Sequence, residues 1–366
     1  MDDALPSNVA ASGPLPSLAA PPSSGEHPTP SVSNTVKGPG TDKAAIHPQL
    51  TLPEGKTLLP APAITIEPGT KLLDRYVVDN KMGAGGFGQI YSVRDEHTKK
   101  DYALKWQTQS DSRRIKLEMT VLLQLRGKKH IPNIIASGTH RNFGYIIIQA
   151  LGKNLGDLRR ELAGKKFSDG TVYRVFEQML YALRDVHEIG YLHRDVKPNN
   201  MCIGTKDRTR VFLIDFGMAR QYTTISGRVR KARETCGFRG TPRYVATTVH
   251  NKQEQGPAGD LVSLIYSAVE LALGTLPWFR CRDAAEIAKC KESTSVEKLC
   301  GNLAKPFVDI ALIVWDLEYD DFPDYDMLLK KGRECLPPDF AADSLYDWEN
   351  QESVCDCPIG ATVLLS

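Results

Sequence analysis

The chain lacks several features that would place it at once in a class of proteins. Its formal net charge is only +2, from 46 basic and 44 acidic residues, so nothing global indicates nucleic acid or an acidic membrane surface as a partner. No run approaches the roughly 18 consecutive apolar residues that a membrane-spanning helix needs. The start, Met1-Asp2-Asp3, has neither the basic residues nor the apolar segment of a signal peptide. We therefore expect a cytoplasmic protein, with the nucleus as a second candidate compartment.

Paired cysteines are also missing. None of the eight cysteines forms a Cys-x-x-Cys pair, and none combines with histidine at the spacing of a zinc finger. The sequence thus predicts free thiols in a reducing compartment rather than a disulfide scaffold.

Aromatic residues are absent from residues 1–70, which nevertheless contain 13 of the 23 prolines. Such a segment cannot bury enough apolar surface to offset its ordering entropy, so we predict that it is disordered. Two interpretations remain open: a docking arm or phosphorylation target at Thr29 or Ser31, and a passive extension. We favour the passive extension.

A glycine-rich turn is the first feature that carries chemistry. Gly83, Gly85 and Gly88 lie between two strand-like runs, residues 76–78 and 89–93. Dinucleotide-binding proteins share the Gly-x-Gly-x-x-Gly pattern, but there the glycines open a helix, whereas here they join two strands. Glycines let backbone N–H groups approach phosphate oxygens closely. The context therefore favours a flap over nucleotide phosphates.

The next two predicted elements can supply an ion pair to that flap. In the strand over residues 101–106, Ala103 and Lys105 share one face, so an adenine ring would have room beside an amine that reaches phosphates. The helix over residues 112–126 has an apolar stripe, and Glu118 lies beside it. Glu118 is either an ordinary solvated residue or the partner of Lys105.

A β-branched run over residues 145–149 predicts a buried strand that ends in a linker, residues 150–153. We expect this linker to join a small β-rich lobe to a larger helical one. In that layout Ile148 lies behind the adenine, and backbone groups from Gln149 to Leu151 bind its edge.

A loop with an acid, an amine and an amide carries the most specific signal. Asp195, Lys197 and Asn200 can supply a proton acceptor, a cation for developing charge and an oxygen ligand for Mg²⁺, which phosphoryl transfer to an alcohol requires. Asp215-Phe216-Gly217 follows 20 residues after Asp195, at the end of a predicted hairpin. A carboxylate there suits a second Mg²⁺ ligand. His193 is interpreted as a packed scaffold residue.

With these parts in order, roughly residues 75–335 resemble a eukaryotic protein kinase domain of the casein kinase I group, closest to its tau-tubulin kinase branch. The segments that carry the finer resemblance are residues 154–160, 237–244, 276–278, 323–325 and 346–349.

The resemblance implies an α+β, bilobal kinase fold: a five-stranded antiparallel sheet with one helix in the N-lobe, and a mainly helical C-lobe. The implied divisions are a disordered Pro/Ser/Ala-rich extension, the N-lobe, the C-lobe and a tail, at residues 1–70, 71–152, 153–335 and 336–366. The implied activity is transfer of the ATP γ-phosphoryl group to serine or threonine of protein substrates. These substrates are expected to be acidic, already phosphorylated (primed) or cytoskeletal proteins, and the enzyme is expected to be a monomer.

The same resemblance implies roles for matching residues. Asp195 is the catalytic base or orients the hydroxyl, Lys197 stabilises the γ-phosphate, and Asn200 and Asp215 hold Mg²⁺. Asp260 matches the buried carboxylate that braces the catalytic loop. Lys105 and Glu118 complete the catalytic set. The implied ATP-binding residues are Gly83, Gly85, Gly88, Ile90, Ala103, Lys105, Ile148, Gln149, Leu151, Cys202 and Asp215.

Some residues depart from the group's pattern in the segment that receives peptide. These are Ala246-Thr247-Thr248, Gly259 and Ile265, and they leave the substrate preference open. Residues 220–243 are rich in arginine and lysine, with Glu234 as the single acid. This basic segment either binds acidic or phosphorylated peptides or is an ordinary solvated loop.

Two alternatives from other classes remain. One is a pseudokinase scaffold that binds nucleotide or partners without turnover. The other is an adaptor that binds the cytoskeleton through its tails. The presence of all four of Lys105, Asp195, Asn200 and Asp215 argues against the pseudokinase.

Overall fold

The structure is a computed structural model that describes residues 65–85, 88–107, 112–140, 143–341 and 343–349. Most of the predicted N-terminal extension, including Thr29 and Ser31, lies outside the described residues. The same holds for residues 350–366 of the predicted tail. Residues 65–70, which the prediction included in the disordered extension, are ordered instead: Ile66 is buried and its N–H donates to Oη of Tyr91 at 2.9 Å.

The first lobe is an antiparallel sheet of six strands, in the order β1-β2-β3-β4-β6-β5, with one helix. Its elements are β1 Lys71–Leu72, β2 Tyr76–Gly85, β3 Gly88–Asp95, β4 Asp101–Gln107, α1 Ser112–Gln124, β5 Ile134–His140 and β6 Phe143–Gln149. The prediction of five strands is therefore wrong by one, because β1 adds to the edge of β2 through the pairs Lys71↔Val77 and Leu72↔Tyr76. A strand of two residues is too short to show the alternation by which strands are recognised.

Helix α1 packs closely against the sheet. A Cβ atom at Gly144 on β6 would lie 2.6 Å from Cγ2 of Ile115 on α1, so only glycine permits this approach. Ile115, Val121 and Leu122 of α1 are buried. This packing fixes the position of Glu118 relative to the sheet.

The second lobe is mainly helical. Its elements are β7 Leu151–Asn154, α2 Leu155–Glu161, α3 Asp169–Glu188, β8 Tyr191–Leu192, β9 Met201–Gly204, β10 Val211–Leu213, β11 Arg220–Gln221, α4 Thr247–His250, α5 Pro257–Leu273, α6 Ala284–Glu292, α7 Val296–Cys300, α8 Lys305–Trp315 and α9 Tyr325–Glu334. No helix in these described ranges combines the length and the apolar character needed to cross a membrane.

The segment predicted as a linker, residues 150–153, mostly belongs to strand β7. This strand pairs with β9 through Leu151↔Gly204 and Asn154↔Cys202. The predicted linker therefore contains a short strand, whose backbone groups are satisfied by pairing with β9, a strand distant in sequence.

Helix α3 is the central helix of this lobe. Ser168 caps its N-terminus by accepting from the N–H of Thr171, and the predicted apolar stripe is buried. Helix α5 is buried along nearly its whole length, including the carboxylate of Asp260 in its first turn. The bilobal α+β fold predicted from the sequence is thus confirmed.

The chain end in the described range folds back onto α3 as a strap, residues 344–349. Trp348 is only 1% exposed, and its ring stacks on Tyr346 with 4.6 Å between centroids. Nε1 of Trp348 donates to the carbonyl of Arg208 at 3.0 Å, and Arg208 donates back to the carbonyl of Trp348 at 3.1 Å. The strap therefore holds the turn between β9 and β10.

Candidate active site

A buried cluster of one amine and two carboxylates lies where the sheet meets the second lobe. Nζ of Lys105 lies 2.7 Å from Oε2 of Glu118 and 2.7 Å from Oδ1 of Asp215. Each of the three side chains is at most 11% exposed. Three residues from β4, α1 and the segment after β10 thus meet at one point.

Burial and the charges of neighbouring side chains shift the pKa values of these three residues in competing directions. Burial disfavours the ammonium of Lys105, but Asp215 and Glu118 outweigh it and raise the pKa of Lys105. Burial also disfavours the Asp215 carboxylate, yet the charge of Lys105 lowers the pKa of Asp215 to about 2. Because the two acids share one ammonium, burial and Asp215 together raise the pKa of Glu118.

An apolar cavity opens beside this cluster. The pairs Ala103↔Ile148 and Lys105↔Ile146 place β4 and β6 side by side in its wall. The cavity is lined by Ile90, Ala103, Lys105, Glu118, Ile146, Ile148, Ile214 and Asp215. An apolar recess with a cation at one end suits a flat ring that carries an anionic chain.

The other residues predicted to bind ATP do not line this cavity. Leu151 and Cys202 pack with Phe212 and Ile214 in a small apolar cluster, and only Ile214 also lines the cavity. The N–H of Gln149 donates to the carbonyl of Asn133 at 2.9 Å.

The predicted glycine flap joins two paired strands, as expected for a flap and unlike a Rossmann turn. Gly83 pairs with Ile90, and Gly85 pairs with Gly88, across β2 and β3. Gly88 has a φ of +135°, and a Cβ atom there would lie 2.5 Å from the carbonyl oxygen of Trp106. A side chain at position 88 is therefore excluded by both backbone conformation and space.

The predicted catalytic loop forms a compact polar network. Oγ1 of Thr241 donates to Oδ1 of Asp195 at 2.7 Å, and Nζ of Lys197 lies 2.9 Å from Oδ2 of Asp195. Lys197 also donates to Oγ1 of Thr241 at 3.0 Å. Nδ2 of Asn200 donates to the backbone carbonyl of Asp195 at 2.8 Å. The Asp195 carboxylate is thus oriented to accept a hydroxyl proton, and a hydroxyl already occupies that position.

Asp260 holds the backbone of this loop. Its two oxygens accept from the N–H groups of His193 and Arg194 at 2.7 Å each. His187 contacts Oδ2 of Asp260 at 3.0 Å and Oη of Tyr325 at 2.6 Å. Arg194 has a φ of +67°, an unusual conformation for a residue with a side chain. The buried carboxylate therefore stabilises a strained turn directly before Asp195.

His193 is a scaffold residue in the structure. Its side chain is fully buried, with Nε2 3.0 Å from the carbonyl of Ile214 and its ring edge-on to Phe216. Asp215, between these two contacts, has a φ of +66°. His193 thus links the loop to the segment that carries Asp215.

Oxygen donors in this cleft fit a hard divalent cation. Asp215 supplies a carboxylate, and Asn200 directs its amide nitrogen toward Asp195, which turns the amide oxygen the other way. Among the described residues no group of three or more His, Cys, Asp or Glu is arranged to hold a metal ion. Two protein ligands completed by phosphates and water are the usual arrangement for Mg²⁺ at phosphates.

Sequence reasoning missed one charged group beside this loop. Arg194 lies close enough to Arg220 and Arg239 that burial and these two cations lower the pKa of Arg194 to about 10. Glu254 is buried between Arg220 and Arg233. The basic composition of residues 220–243 indicated a cationic surface, but only folding shows which arginines approach Arg194.

Comparison with known proteins identifies the family to which this chain belongs. Residues 76–311 match the protein kinase domain family. A Caenorhabditis elegans protein named as a casein kinase I is 38% identical over 302 residues, covering 78% of this chain and 86% of the relative. A Dictyostelium discoideum protein named as a serine/threonine-protein kinase is 35% identical over 287 residues, covering 77% and 58%.

A third relative, serine/threonine-protein kinase spe-6 of Caenorhabditis elegans, is 32% identical over 283 residues, covering 74% of each chain. The fold, the buried cluster around Lys105 and the network around Asp195 agree with these matches. The chain belongs to the protein kinase family, and it is a serine/threonine protein kinase.

Proposed function

We propose that this kinase belongs to the casein kinase I group, in its tau-tubulin kinase branch, and that it phosphorylates acidic or already phosphorylated protein substrates. The observation that carries the kinase mechanism is the network that joins Asp195, Lys197 and Thr241. The 38% identical relative supports the group, and the segments quoted in the sequence analysis support the branch.

Protein kinases use ATP and a divalent metal ion, and the metal here is proposed to be Mg²⁺. Asn200 and Asp215 would hold it, and the ion would neutralise negative charge on the phosphates. Lys105 would bind the α- and β-phosphates in an orientation that Glu118 fixes. The apolar cavity would hold the adenine ring between the two lobes.

Asp195 would accept the proton of the substrate hydroxyl. In the structure Oδ1 of Asp195 accepts from Thr241, so the incoming serine or threonine would take the place of that hydroxyl or share it. Lys197, 2.9 Å from Asp195, would carry positive charge to the γ-phosphate during transfer. The protein contributes mainly by positioning and by electrostatic stabilisation.

The preference for acidic or phosphorylated substrates is supported by arginines near the loop. Burial lowers the pKa of Arg194 most, and repulsion from Arg220 and Arg239 lowers it further, while Glu254 offsets only part of this positive charge. A phosphate or carboxylate of the substrate would relieve this repulsion and accept charge-assisted hydrogen bonds.

We also propose that the boundaries between the two lobes and the tail are those given above. The enzyme would act as a monomer in the cytoplasm and also in the nucleus. Cytoskeletal proteins are a second proposed class of substrate, beside acidic proteins. Co-sedimentation with filaments of the separate segments 1–70 and 336–366 would show whether the tails bind the cytoskeleton by themselves.

Labelled ATP tests the mechanism directly. We expect the wild-type chain to incorporate label into itself and into casein, and Asp195→Asn to lose nearly all incorporation. Equal incorporation by both proteins would mean that the signal comes from a contaminant. No incorporation by either, with retained ATP binding, would favour the pseudokinase scaffold instead.

A further inference from the structure

Lys291 on α6 is a buried cation that the mechanism above does not use. It is 4% exposed, and Nζ donates to the carbonyls of Pro242 at 2.8 Å and Val245 at 2.6 Å. Nζ also lies 3.4 Å from Nε2 of His250. The ammonium thus donates to two backbone carbonyls and lies beside an imidazole nitrogen.

Two aromatic rings complete the surroundings of this amine. Nζ lies 4.9 Å from the ring centroid of Tyr266 and 5.1 Å from that of Trp278. Among the described residues no ion pair joins Lys291 to a carboxylate, and carbonyl dipoles and ring faces stabilise its charge. A buried lysine in such surroundings binds backbone rather than an opposite charge.

The backbone that Lys291 binds is the acceptor segment, residues 241–246. At one end of this segment Thr241 contacts Asp195 and Lys197. Further along, Nε1 of Trp278 donates to the carbonyl of Arg243 at 2.8 Å. Trp278 and Lys291 therefore donate hydrogen bonds to carbonyls of the acceptor segment, which lies outside the helices and strands.

The side chains of the acceptor segment face another acid. Arg243 donates to Oε1 of Glu270 at 3.1 Å, and the Tyr244 hydroxyl also donates to Glu270. The titratable groups that contact Lys291 are His250 on α4, through Nε2, and Tyr266 on α5, through the face of its ring. Burial and the charge of Lys291 lower the pKa of His250, which favours the neutral imidazole beside the ammonium.

We propose that Lys291 is a positioning residue for peptide binding: its ammonium fixes the carbonyls of Pro242 and Val245 and so sets the shape of the acceptor segment. This inference rests on the proposed function only in assigning residues 241–246 to the peptide. Since Lys291 touches neither the cavity nor the cluster at Lys105, ATP binding is independent of it. Removing the amine would take one hydrogen-bond donor from each of the buried carbonyls of Pro242 and Val245.

The experiment compares Lys291→Met, Lys291→Arg and a matched control, Lys289→Met, in the full-length chain. Lys289 is an exposed lysine on the same helix. With casein and a short serine peptide as substrates, we expect Lys291→Met to raise the peptide KM roughly tenfold and to change the ATP KM less than about twofold. Lys291→Arg should recover most of the peptide KM, and Lys289→Met should match the wild type.

A pH profile adds a measurement that a purely structural role would not affect. Burial lowers the pKa of Lys291 to about 7, so the wild-type peptide KM should rise as the pH increases through that value and the amine loses its charge. Lys291→Arg keeps its charge and should show a flatter profile.

An unchanged peptide KM in Lys291→Met, or equal increases in both KM values, would overturn the proposal. If Lys291→Met does not fold, the pH profiles decide, and parallel profiles for wild type and Lys291→Arg would overturn it. Failure of the proposed function looks different, since the wild type would then phosphorylate neither casein nor peptide.

Discussion

Nζ of Lys105 lies 2.7 Å from Oδ1 of Asp215, although 110 residues separate them in sequence. The contact joins the third long strand of the first lobe to the segment that leaves the hairpin of the second. Glu118 of α1 binds the same amine at 2.7 Å. Sheet, helix and second lobe are thus locked in one arrangement around a single nitrogen atom.

Replacing this amine tests the central contact. We expect Lys105→Met to lower kinase activity more than about 100-fold, because binding of the phosphates loses its cation, while the far-ultraviolet circular dichroism spectrum is unchanged. The melting temperature should drop by a few degrees, since two buried carboxylates lose their partner. Phosphorylation of casein at the wild-type rate would refute the assignment.

Asp260 offers a test of the brace under the catalytic loop. In Asp260→Asn the amide cannot accept from both N–H groups of the loop, so we expect a loss of about 1–3 kcal/mol in the free energy of unfolding and a lower kcat. Asp326→Asn, a change at an exposed acid on α9, is the control. Urea unfolding and steady-state kinetics measure the two effects, and equal behaviour of both variants would rule out the brace.

The basic segment, residues 220–243, should select substrates by charge. We expect Arg228→Glu combined with Arg230→Glu to weaken activity on acidic peptides roughly threefold or more beyond its effect on neutral peptides. The pair Lys165→Glu and Lys166→Glu, on the turn after α2, serves as a control of equal charge change. An equal drop on acidic and neutral peptides would dispose of charge selection.

Acid should destabilise the protein partly through Asp215. The pKa of Asp215 is about 2 in the folded chain, below the ordinary value of 3.8 for an aspartate, so its ion pair stabilises the fold above the higher value. This contribution, about 2 kcal/mol, is lost as the pH falls from roughly 4 to 2. Unfolding measured at both pH values should show a smaller loss in Asp215→Asn than in wild type. Identical losses would contradict the shift.

The strap should stabilise the whole second lobe. We expect Trp348→Ala to reduce the free energy of unfolding by about 3–5 kcal/mol, because a fully buried indole and its hydrogen bond to Arg208 are lost. Leu345→Ala, at a side chain 58% exposed, should change it by less than about 0.5 kcal/mol. Calorimetry on both variants provides the comparison, and a silent Trp348→Ala would show that the strap is dispensable.

Local sequence patterns predicted the elements that carry the site. The predicted strand over residues 101–106 is β4 Asp101–Gln107, and the predicted helix over 112–126 is α1 Ser112–Gln124. Each of these two elements is long enough for the spacing of its apolar residues to be recognised in the sequence. The pattern missed β1 and β7, because a short strand is defined by its partner rather than by its own residues.

By itself, the sequence determined which chemical groups are present and on which element each lies, since side-chain chemistry and periodicity are local properties. Spacing also determined that Asp195, Lys197 and Asn200 share one loop. Only the tertiary structure decided that Lys105 contacts Glu118 and Asp215 together, and that Lys291 binds the acceptor segment. Such contacts depend on how buried surfaces pack, which no single stretch of sequence specifies.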